Sequence, residues 1–215
     1  MAEEKIIKKL RLSAEFINED SVKALYKHNQ KIDLALSGNK IKKVGKIDLN
    51  SSKVFDATGK IVLPGAIDTQ VHFREPGAND AENLESGSRA AVAGGITSVF
   101  EMPNTNPPTS TFKEFNNKLS AARNRMFCNY AFYFGAEKDN TAEIKKIEKE
   151  DGCCGIKVFV GVSTGTLLVE NYSDIKKIMK STKKMISFHS EDQGVLNKRK
   201  KYIKRGDPKS HPIWR

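Results

Sequence analysis

Beyond Pro64 the chain repeats one pattern, an apolar β-rich run followed by an amphipathic helical stretch, and this repeat restricts the fold more than any other feature. The runs fall at about Ala66–Phe73, Gly95–Met102, Met126–Phe134, Ile156–Val160 and Met185–His189. Helices are expected after them at about Leu84–Ala93, Thr111–Arg125, Thr141–Glu150, Ser173–Lys180 and Asp192–Ile203. Strand-helix units joined by right-handed crossovers build a parallel α/β sheet, either doubly wound or closed into a barrel. Repetition alone does not choose between them. The notable polar residues, however, sit at the C-terminal ends of the runs, where barrel enzymes carry their catalytic groups.

The densest chemistry lies in Asp68-Thr69-Gln70-Val71-His72-Phe73-Arg74-Glu75-Pro76-Gly77. Strict alternation along a strand places Asp68, Gln70, His72 and Arg74 on one side and Thr69, Val71 and Phe73 on the other. A polar strand face in an apolar setting is unfavourable unless it binds something, and imidazole beside carboxylate and guanidinium suits a metal and an anionic substrate. A satisfied core histidine with a surface ion pair is the other reading. Lys157, flanked by Ile156 and Val158 in a run expected to be buried on both faces, cannot remain a free ammonium. It must be paired, depressed in pKa or modified. His189 ends the last run beside Glu191 and Asp192, as a ligand with an oriented ring or as a structural histidine. Arg74 offers a planar fork for a carboxylate, or a surface ion pair; Asn104, beside Pro103, fits substrate binding or a turn.

Residues 1–62 differ in composition, with short alternations at Ile32–Leu36 and Ile41–Val44 broken by Ser37-Gly38-Asn39 and Ser51-Ser52. They are expected to form part of a small β-rich domain with a hairpin turn at Gly38-Asn39. The formal charge of +11 comes from 37 Lys plus Arg against 26 Asp plus Glu, without interleaved aromatics, which reads as a solvated surface and not as a nucleic-acid interface. Lys198-Arg199-Lys200-Lys201 through Lys204-Arg205 is the densest basic run. Three cysteines, with Cys153 and Cys154 adjacent, fit a reducing compartment and exclude a CxxC zinc site. No apolar stretch approaches the roughly 18 residues of a membrane span. A cytoplasmic location follows as an expectation.

Five ordered stretches carry a resemblance: IDTQVHFREPG, MPNTNP at Met102 to Pro107, GIKVFVGVSTG at Gly155 to Gly165, FHSED at Phe188 to Asp192, and DPKSHPIWR at the end. Together they resemble the dihydroorotases of the amidohydrolase superfamily, over the chain from about Ile41 to its last residue. One departure stands inside the signature: Gln70 occupies the place of the first metal-binding histidine.

The resemblance implies a (β/α)8 barrel of the TIM type, with about five of its eight strands in residues 63–215. It implies the N-terminal part of a bacterial-type dihydroorotase, which cyclises N-carbamoyl-L-aspartate reversibly to L-dihydroorotate in pyrimidine synthesis. It further implies one or two Zn2+ ions held by His72 and His189, with Gln70 an uncertain, weaker ligand, and bridged by a carboxylated Lys157 if two are present. Arg74 and Asn104 would hold the substrate carboxylate, whereas hydantoinases and allantoinases lack that arginine. A general-base aspartate and a further histidine are expected in the later half. The partners implied are a small-molecule substrate and, for the assembled protein, a homo-oligomer or aspartate transcarbamoylase. Gln70 also admits a catalytically inactive dihydroorotase-like protein serving as a structural partner of that transcarbamoylase. Five strands leave an open edge, so residues 1–215 alone are expected to aggregate and to be inactive.

Overall fold

The structure is a computed structural model that describes residues 4–12, 32–38, 40–48, 53–161 and 167–215. The chain divides into two compact units, Met1–Gly65 and Ala66–Arg215. In the first, strands β1 (Glu4–Leu12), β2 (Ile32–Ser37), β3 (Lys40–Gly45) and β4 (Lys53–Asp56) lie in the order β3-β2-β1-β4, and β5 (Ile61–Val62) also pairs with β1. β2 and β3 are antiparallel about Gly38, whose φ of 57° is the left-handed value such a turn demands. Asn39, the other half of the expected turn, lies outside the described residues. Leu34 and Ala57 are buried there, with Ile32, Val44 and Val62 packed on them.

The second unit realises the repeat. Strands β6 (Ala66–Val71), β7 (Ile96–Glu101), β8 (Asn129–Gly135), β9 (Cys153–Phe159) and β10 (Ile186–His189) form one parallel sheet in the order β10-β9-β8-β7-β6. Between and after them run α1 (Leu84–Ala93), α2 (Phe112–Ala122), α3 (Thr141–Ile147), α4 (Tyr172–Ser181) and α5 (Gln193–Arg199). Each strand pairs with the next in sequence, as in the wall of a TIM-type barrel. Helix starts follow local chemistry. The Asn83 side chain accepts from the Ser86 amide in a capping box, Thr111 accepts from the Glu114 amide, and Asp192 from the Val195 amide. Helix α2 stops at Ala122, earlier than its periodicity suggests, because the amides of Arg125 and Met126 fold back onto the Ala122 carbonyl.

Period-two patterning sorts the strands into two faces. Val99, Phe132, Phe134, Ile156 and Val158 pack with Leu84, Phe115, Ile144 and Ile178 of the helices in one buried core. The register pairs Gly135 and Ser187 with Lys157 on the opposite, inner face. Helix α1 seats closely on this core: a Cβ on Gly87 would stand 2.3 Å from the Phe73 ring. Only a glycine lets the helix and that ring approach so far.

The first strand departs from strict alternation. Asp68 pairs with Val99 and Val71 with Glu101, so β6 spends one more residue than β7 between the two pairs, which is a bulge. Gln70 and His72 then fall in phase with the inner face, whereas Asp68 does not join them. Its Oδ1 accepts from the Gln70 amide at 3.0 Å. Arg74 also leaves the strand, at a φ of 60°.

Candidate functional site

His72 follows the last residue of β6, Lys157 lies two residues before the end of β9, and His189 ends β10. Ser187 is the register partner of Lys157, so His189, two residues on, shares its face. In a flat sheet β6 and β9 would stand about 14 Å apart, three steps of about 4.8 Å. The His72 imidazole nevertheless feels the Lys157 charge, as expected of a curled sheet. Burial first, then Arg74, hold that imidazole below its ordinary pKa against a side-chain hydrogen bond with Asn104. A neutral ring is the form that binds a metal. His72, Asn104 and Arg74 thus form one neighbourhood, with Lys157 within electrostatic reach.

Lys157 is 2% exposed. Among the described residues its Nζ has no carboxylate partner and lies 5.2 Å from the centroid of the Phe159 ring. Burial lowers its pKa, which favours the neutral amine. His189 is half-buried, stacks obliquely on Phe159 with centroids 6.0 Å apart, and its Nε2 lies 2.8 Å from Glu191 Oε2. Arg215 Nε donates to the same carboxylate at 2.7 Å. The Arg215 bond, with a lesser contribution from His189, pulls the Glu191 carboxyl down to about 2. One ring nitrogen of His189 is thereby oriented and the other is left for a ligand. Residue 161 must be glycine for this arrangement, because a Cβ there would meet the Glu191 carbonyl at 2.6 Å.

Gln70 and Arg74 are exposed. Among the described residues no three His, Cys, Asp or Glu side chains gather closely enough to hold a metal ion. The donor set fits such an ion through the lysine: a buried amine without a counter-charge, in phase with two imidazoles. The neutral amine adds to carbon dioxide and releases a proton, which replaces a poorly solvated cation by an anion with two donor oxygens. The expected loop from Gly161 to Gly165 lies outside the described residues beyond Gly161 itself.

Two ion pairs escaped the sequence reading. Glu75 is bound by Arg125 through both oxygens, at 2.8 and 3.1 Å, and accepts from the Leu84 amide at 2.9 Å. It anchors the loop after β6 to the start of α1. Burial alone would raise the Glu75 carboxyl, but Arg125 and the Leu84 amide outweigh it and hold it below the usual carboxylate range. The stabilisation is therefore complete above the unfolded value of about 4.3 and is lost as pH falls through the lower folded value. Arg125→Met should cost about 1 to 2 kcal/mol near pH 7, discounted for the partial exposure of Arg125. In urea melts that penalty should shrink below about pH 4, because the parent then loses the same bond.

The second pair joins Glu101, the last residue of β7, to Lys118 of α2, each with a side chain 1% exposed. Burial pushes the Glu101 carboxyl up and the Lys118 ammonium down, against their mutual attraction. Its signal was present in the sequence. Phe115, Lys118 and Ala122 share the buried stripe of α2, and a lysine on that stripe requires a partner.

A parallel β/α sheet with imidazole, amine and guanidinium groups at its strand ends defines a barrel of the metal-dependent hydrolase type. Residues 61–211 match the amidohydrolase family, and the chain belongs to that family. A dihydroorotase of Methanosarcina mazei is 34% identical over 168 residues, covering 76% of this chain and 37% of the relative. A mitochondrial allantoinase of Aquarana catesbeiana is 32% identical over 168 residues, covering 74% of this chain and 34% of the relative. The L-hydantoinase (dihydropyrimidinase) from Arthrobacter aurescens superposes with a TM-score of 0.78 at 26% identity, over 94% of this chain and 43% of that one. The chain spans well under half the length of these relatives. Among the described residues no helix is long and apolar enough to cross a membrane.

Proposed function

We propose that the chain is the N-terminal part of a metal-dependent cyclic amidohydrolase acting as a dihydroorotase, which interconverts N-carbamoyl-L-aspartate and L-dihydroorotate in de novo pyrimidine synthesis. The observation that carries this reading is the neighbourhood of His72, where a metal-type imidazole bonds Asn104 and feels Arg74. A substrate with a ring amide and a carboxylate needs such a pairing of functions. Residues 1–62 would belong to a small β-rich domain and residues 63–215 to the first five units of an incomplete barrel.

His72 and His189 would hold zinc, with Lys157 as a bridging carbamate if two ions bind and Gln70 as a weaker, neutral oxygen donor. Bound there, zinc supplies Lewis-acid polarisation of the ring carbonyl and activates water. The chain's own residues do the rest. Arg74 binds the substrate carboxylate through its fork, and Asn104 orients it. Glu191 keeps the His189 ring in place, and the apolar wall behind Lys157 excludes water. A general-base aspartate would come from the later half of the barrel. The setting would be cytoplasmic, the assembly a homo-oligomer or a complex with aspartate transcarbamoylase.

Zinc content and ring-opening of dihydroorotate, allantoin and hydantoin by the full-length protein test this reading. Turnover of dihydroorotate above the other two supports it; one metal or none, with no turnover, overturns it. Arg74→Ala should raise KM for dihydroorotate about 10- to 100-fold, the worth of a charge-assisted fork, with a smaller change in kcat. The exposed Gln70 favours one second reading, an inactive dihydroorotase-like partner of the transcarbamoylase. That reading calls for partner binding without catalysis.

A further inference from the structure

We propose that Glu101 and Lys118 act as a positioning pair that registers the two substrate-binding loops against each other, an inference that rests on the role given above to Arg74 and Asn104. The ladder between β6 and β7 closes with the Met102 amide on the Val71 carbonyl at 3.0 Å. One residue further, the Phe73 amide has left the strand, and it donates to the Glu101 carboxylate instead. Phe73 lies between His72 and Arg74. From the other side, Lys118 Nζ donates to the Met102 carbonyl at 3.2 Å and to Thr109 Oγ1 at 3.3 Å. Those two residues bracket the loop that carries Asn104. Thr109 tightens it further, its amide donating to the Pro103 carbonyl at 2.9 Å.

The pair therefore extends the sheet beyond its ladder, binding residue 73 to the 102–109 loop at three points. Stability alone does not call for it. A buried ion pair in an apolar layer is often replaceable by well-packed hydrophobic residues without loss. Directional bonds to an amide, a carbonyl and a hydroxyl are what apolar residues cannot reproduce.

The test compares the full-length parent with Glu101→Leu/Lys118→Met and with Glu101→Gln, by melting, amide exchange at Phe73 and dihydroorotate kinetics. The apolar double variant should melt within a few degrees of the parent. Its Phe73 amide should exchange about tenfold faster or more while the Val71 amide keeps its rate, and kcat/KM should fall about 10- to 100-fold. In Glu101→Gln an amide oxygen still accepts from Phe73, so protection and most activity should return. Unchanged Phe73 protection in the double variant overturns the proposal. So does a collapse in its melting temperature, which would make the pair a fold element, or a Gln variant that behaves like the double variant. If the parent itself turns over no dihydroorotate, the catalytic reading fails and the exchange ratio still decides the positioning role.

Discussion

Lys157→Met in the full-length protein should lower dihydroorotate hydrolysis by about three orders of magnitude or more, equivalent to about 4 kcal/mol of transition-state stabilisation. The fold should survive. Methionine nearly matches the volume of the lysine, and the replaced amine is a buried group whose only described contact is the Phe159 ring. Removing it relieves desolvation instead of breaking a pair, so the melting temperature should hold or rise. In the parent, protein equilibrated with 13C-labelled carbon dioxide should show a carbamate carbon signal that the variant lacks. The same signal should fade as pH falls, because only the unprotonated amine adds carbon dioxide, and it should persist to lower pH than for an exposed lysine since burial lowers the Lys157 pKa. Activity within about tenfold of the parent would remove Lys157 from the mechanism.

Gln70→His has the opposite sign. It should raise zinc affinity about 10- to 100-fold and bring zinc content toward two ions per chain, measured by metal analysis after dialysis against a weak chelator. An amide oxygen is a poor zinc donor beside an imidazole nitrogen, and position 70 is exposed, so the larger ring needs no repacking. Two outcomes separate the readings of the parent. If turnover rises with zinc, the parent is an enzyme with a weakened site. If zinc is gained and turnover stays absent, the parent works as an assembly partner.

Much of this arrangement was legible in the letters because two periodicities carry it. Val99, Phe132, Phe134, Ile156 and Val158 mark a buried outer face, which makes Lys157 conspicuous between Ile156 and Val158. The ends of β6 and β10 were placed within a residue or two for the same reason. Strict alternation misplaced Asp68, because a bulge is a property of pairing with β7 and leaves no mark in β6 alone. Glu75 looked like part of the reactive cluster beside His72. Its partner Arg125 is 50 residues away, and no local rule joins them. Glu101 ends an apolar run and Lys118 sits on a buried helical stripe, so each was anomalous, but only the packing of α2 on β7 shows that the anomalies cancel.

The sheet order has a consequence for how such a centre is tuned. Its donors come from β6 and β10, the two outermost strands of the row, which in a flat sheet would lie about 19 Å apart. Bending is spread over every intervening strand pair, so a substitution in β7 or β8 that touches no ligand would still alter the bite between the imidazoles. Metal affinity in this architecture is a mechanical readout of curvature, and variants that flatten the sheet should lose ions before they lose secondary structure.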